Sequence, residues 1–240
     1  ENDPLCFGTS TGSIEYNVNG GVAPYLYLLN SNPSQPVNIF NNLSIGNYNV
    51  IIQDFNGCEV SFSSILDQPD DIAIFESIDP VSCFGFSDGV ISVNISGGTM
   101  PYTYNWTGDH TMTGNGTPTI SDLSSGNYQL TLTDNNNCES AANFFMPENS
   151  SISLINTTSD YNGFNVRCHG GEDAWISCVA SGGLLPYTYE WIDLSNNSVI
   201  SNQADVYNLP VGSYTFTVED YAGCPNSITF NITQPDSLSL

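Results

Sequence analysis

The sequence predicts an all-β chain built from three tandem antiparallel β-sandwich domains. The phrase Gly-Gly-x-x-Pro-Tyr-x-Tyr or a close variant occurs three times, beginning at Gly20, Gly97 and Gly182, so that the copies lie about 80 residues apart. Apolar and polar residues alternate on both sides of each copy, and no helical periodicity of useful length is visible. A repeat of this length indicates small domains rather than the short units of a solenoid.

One predicted strand of each repeat follows an early cysteine. When Cys6, Cys83 and Cys168 are set in register, the residues after them align without gaps through the Gly-Gly pair. The alternating inward positions are Ile14, Tyr16 and Val18, then Ile91, Val93 and Ile95, then Ile176, Cys178 and Ala180. Period-two alternation with β-branched residues predicts a half-buried strand, which the Gly-Gly pair ends.

The next predicted strand contains the aromatic residues of the repeated phrase. Tyr102, Tyr104 and Trp106 lie two residues apart and therefore share one face, which we expect to be the core face. The equivalent residues are Tyr25, Tyr27 and Leu29 in the first repeat and Tyr187, Tyr189 and Trp191 in the third. Aromatic side chains bury the most area per residue, which a core of about 80 residues requires.

A second fixed phrase, Leu-x-x-Gly-x-Tyr, follows a short strand in each repeat. It comprises Leu43, Gly46 and Tyr48, then Leu123, Gly126 and Tyr128, then Leu209, Gly212 and Tyr214. The phrase is similar to the tyrosine corner of immunoglobulin-like sandwiches. The sequence therefore predicts three immunoglobulin-like domains, at residues 1–70, 71–148 and 149–240. Short linkers containing proline predict an extended rod.

One further strand follows the Gln-Pro position that ends the first repeat and the corresponding positions later. We assign this strand to the following repeat because Cys83 and Cys168 come shortly after it. Two alternatives stay open: the strand closes the preceding repeat, or it is handed between neighbouring repeats or chains as in donor-strand pairing. On the favoured assignment the first repeat lacks its opening strand.

The cysteines suggest a covalent framework. We expect three bridges within repeats, Cys6–Cys58, Cys83–Cys138 and Cys168–Cys224, because a count of six strands places both turns at one end of a domain. Each bridge would stabilise its domain by about 4 kcal/mol. Reduced cysteines in apolar pockets are the alternative. Cys178 aligns with inward positions and is expected to be a buried free thiol.

The net charge is strongly negative, which restricts the classes of binding partner. Arg167 is the only Lys or Arg, against 25 Asp and Glu, which gives a net charge of -24. Nucleic acids and anionic membrane surfaces are therefore excluded as partners, and no apolar run is long enough to cross a bilayer. The acids are interpreted as a solvated surface, with calcium as the alternative. The candidate calcium ligands are Asp54, Asp70, Asp71, Asp134 and Asp220, and the recurring ones can instead serve turns by Asx hydrogen bonds.

Catalysis is not expected. His110 and His169 do not recur across the repeats, and almost no cation is present to stabilise an oxyanion. The main alternative to a structural role is a glycan-binding module that uses exposed loop aromatics. The candidate aromatics are Phe7, Phe55, Phe84, Phe86, Tyr161, Phe164 and Tyr221.

The combined order of motifs resembles the SprB repeat. That order is Cys-x-Gly, Gly-Gly-x-x-Pro-Tyr-x-Tyr-x-Trp, Leu-x-x-Gly-x-Tyr, Asp-x-x-Gly-Cys and Gln-Pro, with departures at Leu29, Asn137 and Cys178. The resemblance implies a repeat segment of a very long surface adhesin of gliding bacteria, exported by type IX secretion and displayed outside the cell. Repetition itself favours a non-catalytic stalk over a binding head, and the expected partners are neighbouring repeats and a surface polysaccharide or other substratum.

Overall fold

The computed structural model describes residues 1–239, and within them the chain forms eighteen β-strands. Each repeat contains two antiparallel sheets, which confirms the predicted all-β, immunoglobulin-like architecture. By density of contacts the chain divides into two compact units. The first comprises Glu1–Ile78, Ile91–Ile120 and Asn127–Phe144, and the second comprises Asp79–Val90, Ser121–Gly126 and Phe145–Leu240. The domain limits at residues 70 and 148 stay a prediction.

The first repeat has five strands. They are β1 (Gly12–Glu15), β2 (Leu26–Leu29), β3 (Ile39–Leu43), β4 (Gly46–Gln53) and β5 (Glu59–Leu66). Strand β1 pairs with β3 in one sheet, and the other sheet has the order β2-β4-β5. The alternating residues of these strands meet in one apolar core. Its buried members are Ile14, Tyr27, Leu29, Phe40, Leu43, Val50, Ile52 and Leu66.

The second repeat has six strands, because an opening strand is added. They are β6 (Ala73–Asp79), β7 (Gly89–Ser96), β8 (Thr103–Gly108), β9 (Thr119–Leu123), β10 (Gly126–Thr133) and β11 (Glu139–Met146). The two sheets have the orders β6-β7-β9 and β8-β10-β11. Trp106 is buried, its ring lies 5.4 Å from that of Phe144, and its indole Nε1 donates to the carbonyl of Thr117 at 2.9 Å.

The third repeat has seven strands. They are β12 (Ser153–Thr158), β13 (Ala174–Ser181), β14 (Thr188–Asp193), β15 (Ser198–Ser201), β16 (Asp205–Leu209), β17 (Gly212–Glu219) and β18 (Pro225–Ile232). The sheets have the orders β12-β13-β16 and β15-β14-β17-β18. Trp191 is fully buried against Phe216 and Phe230, with ring separations of 4.8 and 5.5 Å. The inward placement of both tryptophans is therefore confirmed, whereas Tyr104 and Tyr189 are only half-buried.

The strands after the first and the second repeat pair with the repeat that follows. Strand β6 lies beside β7, and β12 pairs with β13 from Ser153↔Ser181 to Thr158↔Ile176. The favoured assignment of this strand is confirmed. In the first repeat, strand β1 takes the place of β7. On the edge of β1 where an opening strand would lie, the only described residue that pairs is Asn2, which bridges to Ser13.

The predicted tyrosine corners form in the first and third repeats, where the chain turns into the long strands β4 and β17. The hydroxyl of Tyr48 donates to the carbonyl of Ser44 at 2.9 Å, and that of Tyr214 donates to the carbonyl of Pro210 at 3.1 Å. The residue before each corner leucine has a φ near +59°, and it is Asn42, Asp122 or Asn208. Asn and Asp tolerate this left-handed conformation better than other side chains.

Candidate functional site

The recurring aspartate of each repeat clamps the turn that contains the second cysteine. In the third repeat, Oδ1 of Asp220 accepts the N–H groups of Ala222 and Cys224 at 2.9 and 3.0 Å, and Oδ2 accepts that of Leu184 at 2.9 Å. Asp54 and Asp134 make the same three contacts in their own repeats. The carboxylate therefore ties the cysteine turn to the segment after the Gly-Gly pair.

The backbone donors change the acidity of two of these groups. The N–H of Cys58, followed by those of Val22 and Asn56, holds the pKa of Asp54 below its ordinary value. Burial acts to raise the pKa of Asp220, but the N–H groups of Leu184, Cys224 and Ala222 outweigh burial and lower that pKa. Both carboxylates are thus favoured in the charged form that accepts the hydrogen bonds.

The calcium candidates do not assemble into a ligand cluster. Among residues 1–239, no group of three or more His, Cys, Asp and Glu side chains is placed to hold a metal ion. The oxygens of Asp54, Asp134 and Asp220 accept backbone N–H groups, which is the Asx-turn role that was the alternative. Asp70 and Asp71 lie in the linker after the first repeat.

The cysteines pair between repeats, which corrects the predicted pairing within repeats. Cys6 bonds to Cys138 and Cys83 bonds to Cys224, with Cα–Cα distances of 5.7 and 5.6 Å. Cys58 and Cys168 are exposed free thiols. The expected bridges Cys6–Cys58, Cys83–Cys138 and Cys168–Cys224 are therefore wrong.

The physical reason is one additional crossing of the sandwich. In the third repeat, the segment after β14 forms β15, which runs antiparallel to β14 before β16 begins. This crossing changes the parity of the strand count, so the early cysteine and the turn cysteine of one repeat lie at opposite ends. The early cysteines of the first two repeats instead lie beside the turn cysteine of the repeat that follows.

The early cysteine loop is held by the tail of its own repeat. The N–H of Gly8 donates to Oε1 of Gln68 at 3.0 Å, and the N–H of Gly85 donates to Oε2 of Glu148 at 2.9 Å. The same bond forms in the third repeat, from Gly170 to Oε1 of Gln234 at 2.8 Å. Each repeat therefore presents one unit in which the cysteine loop and the tail are joined, and we call this unit the donor end.

The Gly-Gly turn receives the tail of the repeat before it. The N–H of Gly98 donates to the carbonyl of Asp70, and that of Gly183 donates to the carbonyl of Ser150, each at 2.9 Å. A Cβ at Gly97 would lie 1.9 Å from the carbonyl oxygen of Asp71, so only glycine permits this approach. We call the Gly-Gly turn, the aspartate and the second cysteine the acceptor end.

A junction is the contact between the donor end of one repeat and the acceptor end of the next. The remaining candidates lie outside the two junctions of this chain or at their margins. Cys178 is buried without a disulfide partner, and burial, followed by the charge of Asp205, raises the pKa of its thiol to about 11. His110 is exposed, and Nδ1 of His169 lies 3.3 Å from the carbonyl oxygen of Pro235. The loop aromatics Phe7, Phe55, Phe84, Phe86, Phe164 and Tyr221 are exposed, and Tyr161 is half-buried under the guanidinium of Arg167.

Sequence reasoning missed the pairing of the early cysteine with the next repeat. The Gly-Gly pair was the available signal, because two adjacent glycines at equivalent positions indicate a close backbone approach as well as a turn. The glutamine or glutamate two residues after each last strand was a second signal. It recurs as Gln68, Glu148 and Gln234.

Comparison with known families finds the SprB repeat three times in this chain. The SprB repeat family model matches residues 2–34, 76–111 and 164–196. These segments run from the early cysteine region through the aromatic strand of each repeat, and they confirm the resemblance inferred from the motifs. A comparison with curated proteins finds no match.

Solved structures similar to this chain are tandem immunoglobulin domains. The N-terminal eight Ig domains of Down Syndrome Cell Adhesion Molecule match at 13% identity and a TM-score of 0.43, over 90% of this chain and 33% of that one. The full ectodomain of mouse nectin-like molecule 4 matches at 10% identity and a TM-score of 0.38, over 98% of both chains. Sidekick-1 immunoglobulin domains 1–5 match at 14% and 0.37, over 97% of this chain and 57% of that one. The likeness concerns the fold alone.

No helix long and apolar enough to cross a bilayer occurs among residues 1–239.

Proposed function

We propose that this chain, with its three SprB-type repeats, is a non-catalytic stalk segment of a large bacterial cell-surface adhesin. In this role the repeats hold a binding region away from the cell and contribute to surface attachment, in the manner of the adhesins of gliding bacteria. The proposal includes export through the outer membrane by type IX secretion and display on the outer surface.

One observation carries the proposal: the polar residues that recur in all three repeats serve the fold or the junctions. The aspartates accept backbone N–H groups, the Gln and Glu residues hold the cysteine loops, and the tyrosine hydroxyls donate to carbonyls. Neither histidine recurs. A repeated enzyme or receptor would repeat its site, whereas a spacer gains reach by repeating its framework.

The strongly acidic surface is consistent with a long array of repeats. A net charge of -24 makes neighbouring copies repel one another in solution, which opposes aggregation of exposed strand edges. Covalent bonds between consecutive repeats also suit a segment that transmits load. Neither property requires a ligand.

The proposal is tested by exchanging the segment inside the surface protein that contains it. We expect an unrelated immunoglobulin-like array of equal length to preserve surface attachment and motility. Deletion without replacement should reduce both, because the binding region would lie closer to the cell. Antibody labelling of intact cells checks display. Loss of attachment after the equal-length exchange would contradict the stalk role.

A second candidate function, glycan binding, rests on the exposed loop aromatics. Phe55 and Tyr221 occupy equivalent turn positions and are 70% and 76% exposed. Aromatic faces of this kind are common contacts for sugars. Affinity electrophoresis in polysaccharide gels would compare the native chain with Phe55→Ser and Tyr221→Ser, and Ile65→Ser, an equally exposed strand residue, is the matched control. Retardation lost only in the loop variants would favour this candidate.

A further inference from the structure

Two junctions in this chain are complete, and the parts of a third junction are present but apart. We propose that the acceptor end of the first repeat, with Cys58, binds the donor end of a further SprB-type repeat, and that the two join through a disulfide. A second copy of this chain can supply that donor end through Cys168 and the segment 234–239. The inference concerns how repeats join and does not rest on the proposed surface role.

The third repeat presents a complete donor end. Cys168 is exposed, and Gly170 holds its loop to Gln234 by the same hydrogen bond that the loops of Cys6 and Cys83 make. Three residues after the Gln or Glu of the two bonded donor ends, the carbonyl groups of Asp71 and Ser151 lie against the Gly-Gly turn of the next repeat. The Cys168 loop is therefore held to Gln234 in the same way as the loops of the two bonded donor ends.

The apolar residue of that tail has no contact partner of the kind its equivalents have. Four residues after the Gln or Glu, the tails carry Ile72, Ile152 and Leu238. Ile152 is buried in the core of the third repeat, and Ile72 packs close to Gly98. Leu238 is fully exposed. Burial of such a side chain is favourable, and this free energy is available to docking.

The first repeat presents an incomplete acceptor end. Strands β7 and β13 each have eight residues, whereas β1 has four and ends at Glu15. The residues that continue β7 and β13 pair with β6 and β12, and the equivalent residues 16–19 have no strand partner on that edge among the described residues. An added strand from a neighbouring repeat would complete β1 by β-augmentation.

The Gly-Gly turn of the first repeat is also unoccupied by a tail. A Cβ at Gly182 would meet the carbonyl oxygen of Ser151 at 2.1 Å, but a Cβ at Gly20 would have no atom within 4 Å. The open groove beside it is lined by Val18, Gly21, Tyr25, Ile52, Asp54 and Val60, next to Cys58. In the first junction, the linker residues Pro69–Ile72 and the loop of Cys6 form part of the lining of the corresponding groove.

Acidic groups lie on both sides of the proposed junction, as they do in the first junction. In the first junction, Asp70 and Asp71 already line one groove with Asp134 and Glu139. The third junction would bring Asp236 near Asp54 and Glu59, which is a similar density of charge. We therefore expect docking to strengthen as salt screens these charges.

The covalent step requires an oxidant, and a small-molecule disulfide supplies it. The thiolate of Cys168 attacks oxidised glutathione, forming a mixed disulfide and releasing one reduced glutathione. The thiolate of Cys58 then attacks the protein sulfur of that mixed disulfide, forming the Cys58–Cys168 bond and releasing the second glutathione. Two thiol protons leave, and the two electrons end on the glutathione pair.

The test uses two single variants of the full chain, Cys58→Ser and Cys168→Ser, in a buffer of reduced and oxidised glutathione. Each variant alone lacks one half of the junction and should stay monomeric on non-reducing gels. The mixture should form a heterodimer that exceeds either homodimer by about tenfold, because docking raises the local thiol concentration. Peptide mapping should identify the bond between residues 58 and 168. The native chain should form a ladder of multimers.

A third variant separates docking from random oxidation. Leu238→Asp in the Cys58→Ser chain removes the apolar tail residue and keeps Cys168, so its heterodimer yield should fall about tenfold towards the homodimer level. Circular dichroism establishes that the fold is intact. Homodimers through Cys58 or Cys168 in amounts equal to the heterodimer would overturn the proposal. So would monomers throughout, or a yield that Leu238→Asp leaves unchanged.

Discussion

At the residue scale, one aspartate in each repeat connects two turns. Asp220 is buried, and each of its oxygens accepts backbone N–H groups from the cysteine turn or from the segment after Gly-Gly. Alternation cannot predict this role, because the aspartate lies in a turn rather than in a strand. The Asx-turn tendency of aspartate did predict the local bonds, although not the bond across to Leu184.

Removal of this carboxylate should destabilise the third repeat. We expect Asp220→Ala to lower the free energy of unfolding by about 2–4 kcal/mol, because several backbone donors lose their acceptor. Chemical denaturation followed by tryptophan fluorescence measures the effect. Glu219→Ala removes the same charge from an adjacent exposed side chain and should change stability by less than about 0.5 kcal/mol. Equal effects of the two substitutions would contradict the clamp.

The same groups predict a pH dependence. The pKa of Asp54 and that of Asp220 are lowered in the folded chain, so the folded state binds protons less readily than the unfolded state. Their stabilisation is therefore complete above the unfolded value of about 3.9 and is lost as pH falls through the folded pKa. Melting temperatures measured between pH 7 and pH 2 should fall below about pH 4, and less steeply in Asp220→Ala.

Metal removal should have no effect on stability. The aspartates most suited to calcium accept backbone N–H groups with both oxygens. We expect the melting temperature to be equal in calcium and in excess chelator. A rise of several degrees on addition of calcium would instead support the ligand role of Asp54, Asp134 or Asp220.

The strand pattern was predictable at the element scale, and the path between strands was not. Alternation located β7 and β13, and the tyrosine-corner phrase located the start of β4, β10 and β17. The connection after the aromatic strand has no regular alternation, so its crossing of the sandwich was missed. That crossing is a strand in the third repeat only, β15, and it reverses the end at which the second cysteine lies.

The aromatic strand should dominate the stability of its repeat. Trp106 is buried against Phe144 and its indole N–H is paired, so Trp106→Ala leaves a large cavity. We expect a loss of about 3–5 kcal/mol in the free energy of unfolding. Phe145→Ala, which removes the exposed neighbour of Phe144, is the control and should cost little. An unchanged melting temperature in Trp106→Ala would contradict the buried placement.

At the scale of the whole molecule, two disulfides connect consecutive repeats. Peptide mapping without reduction should recover the pairs Cys6–Cys138 and Cys83–Cys224. Cys138→Ser should release Cys6 to thiol labelling, whereas Cys58→Ser should leave Cys6 blocked. Labelling of Cys6 in the Cys58→Ser chain would contradict this pairing and support a bond between Cys6 and Cys58 within the first repeat.

The staggered bridges have a consequence for the integrity of the chain after backbone cleavage. One covalent loop runs from Cys6 to Cys138 and the other from Cys83 to Cys224, so the two loops overlap between residues 83 and 138. Every peptide bond between Cys6 and Cys224 therefore lies inside at least one loop. A protease that cuts once anywhere in this stretch would leave both fragments in one molecule, and bridges closed within single repeats would leave the linkers between repeats unprotected.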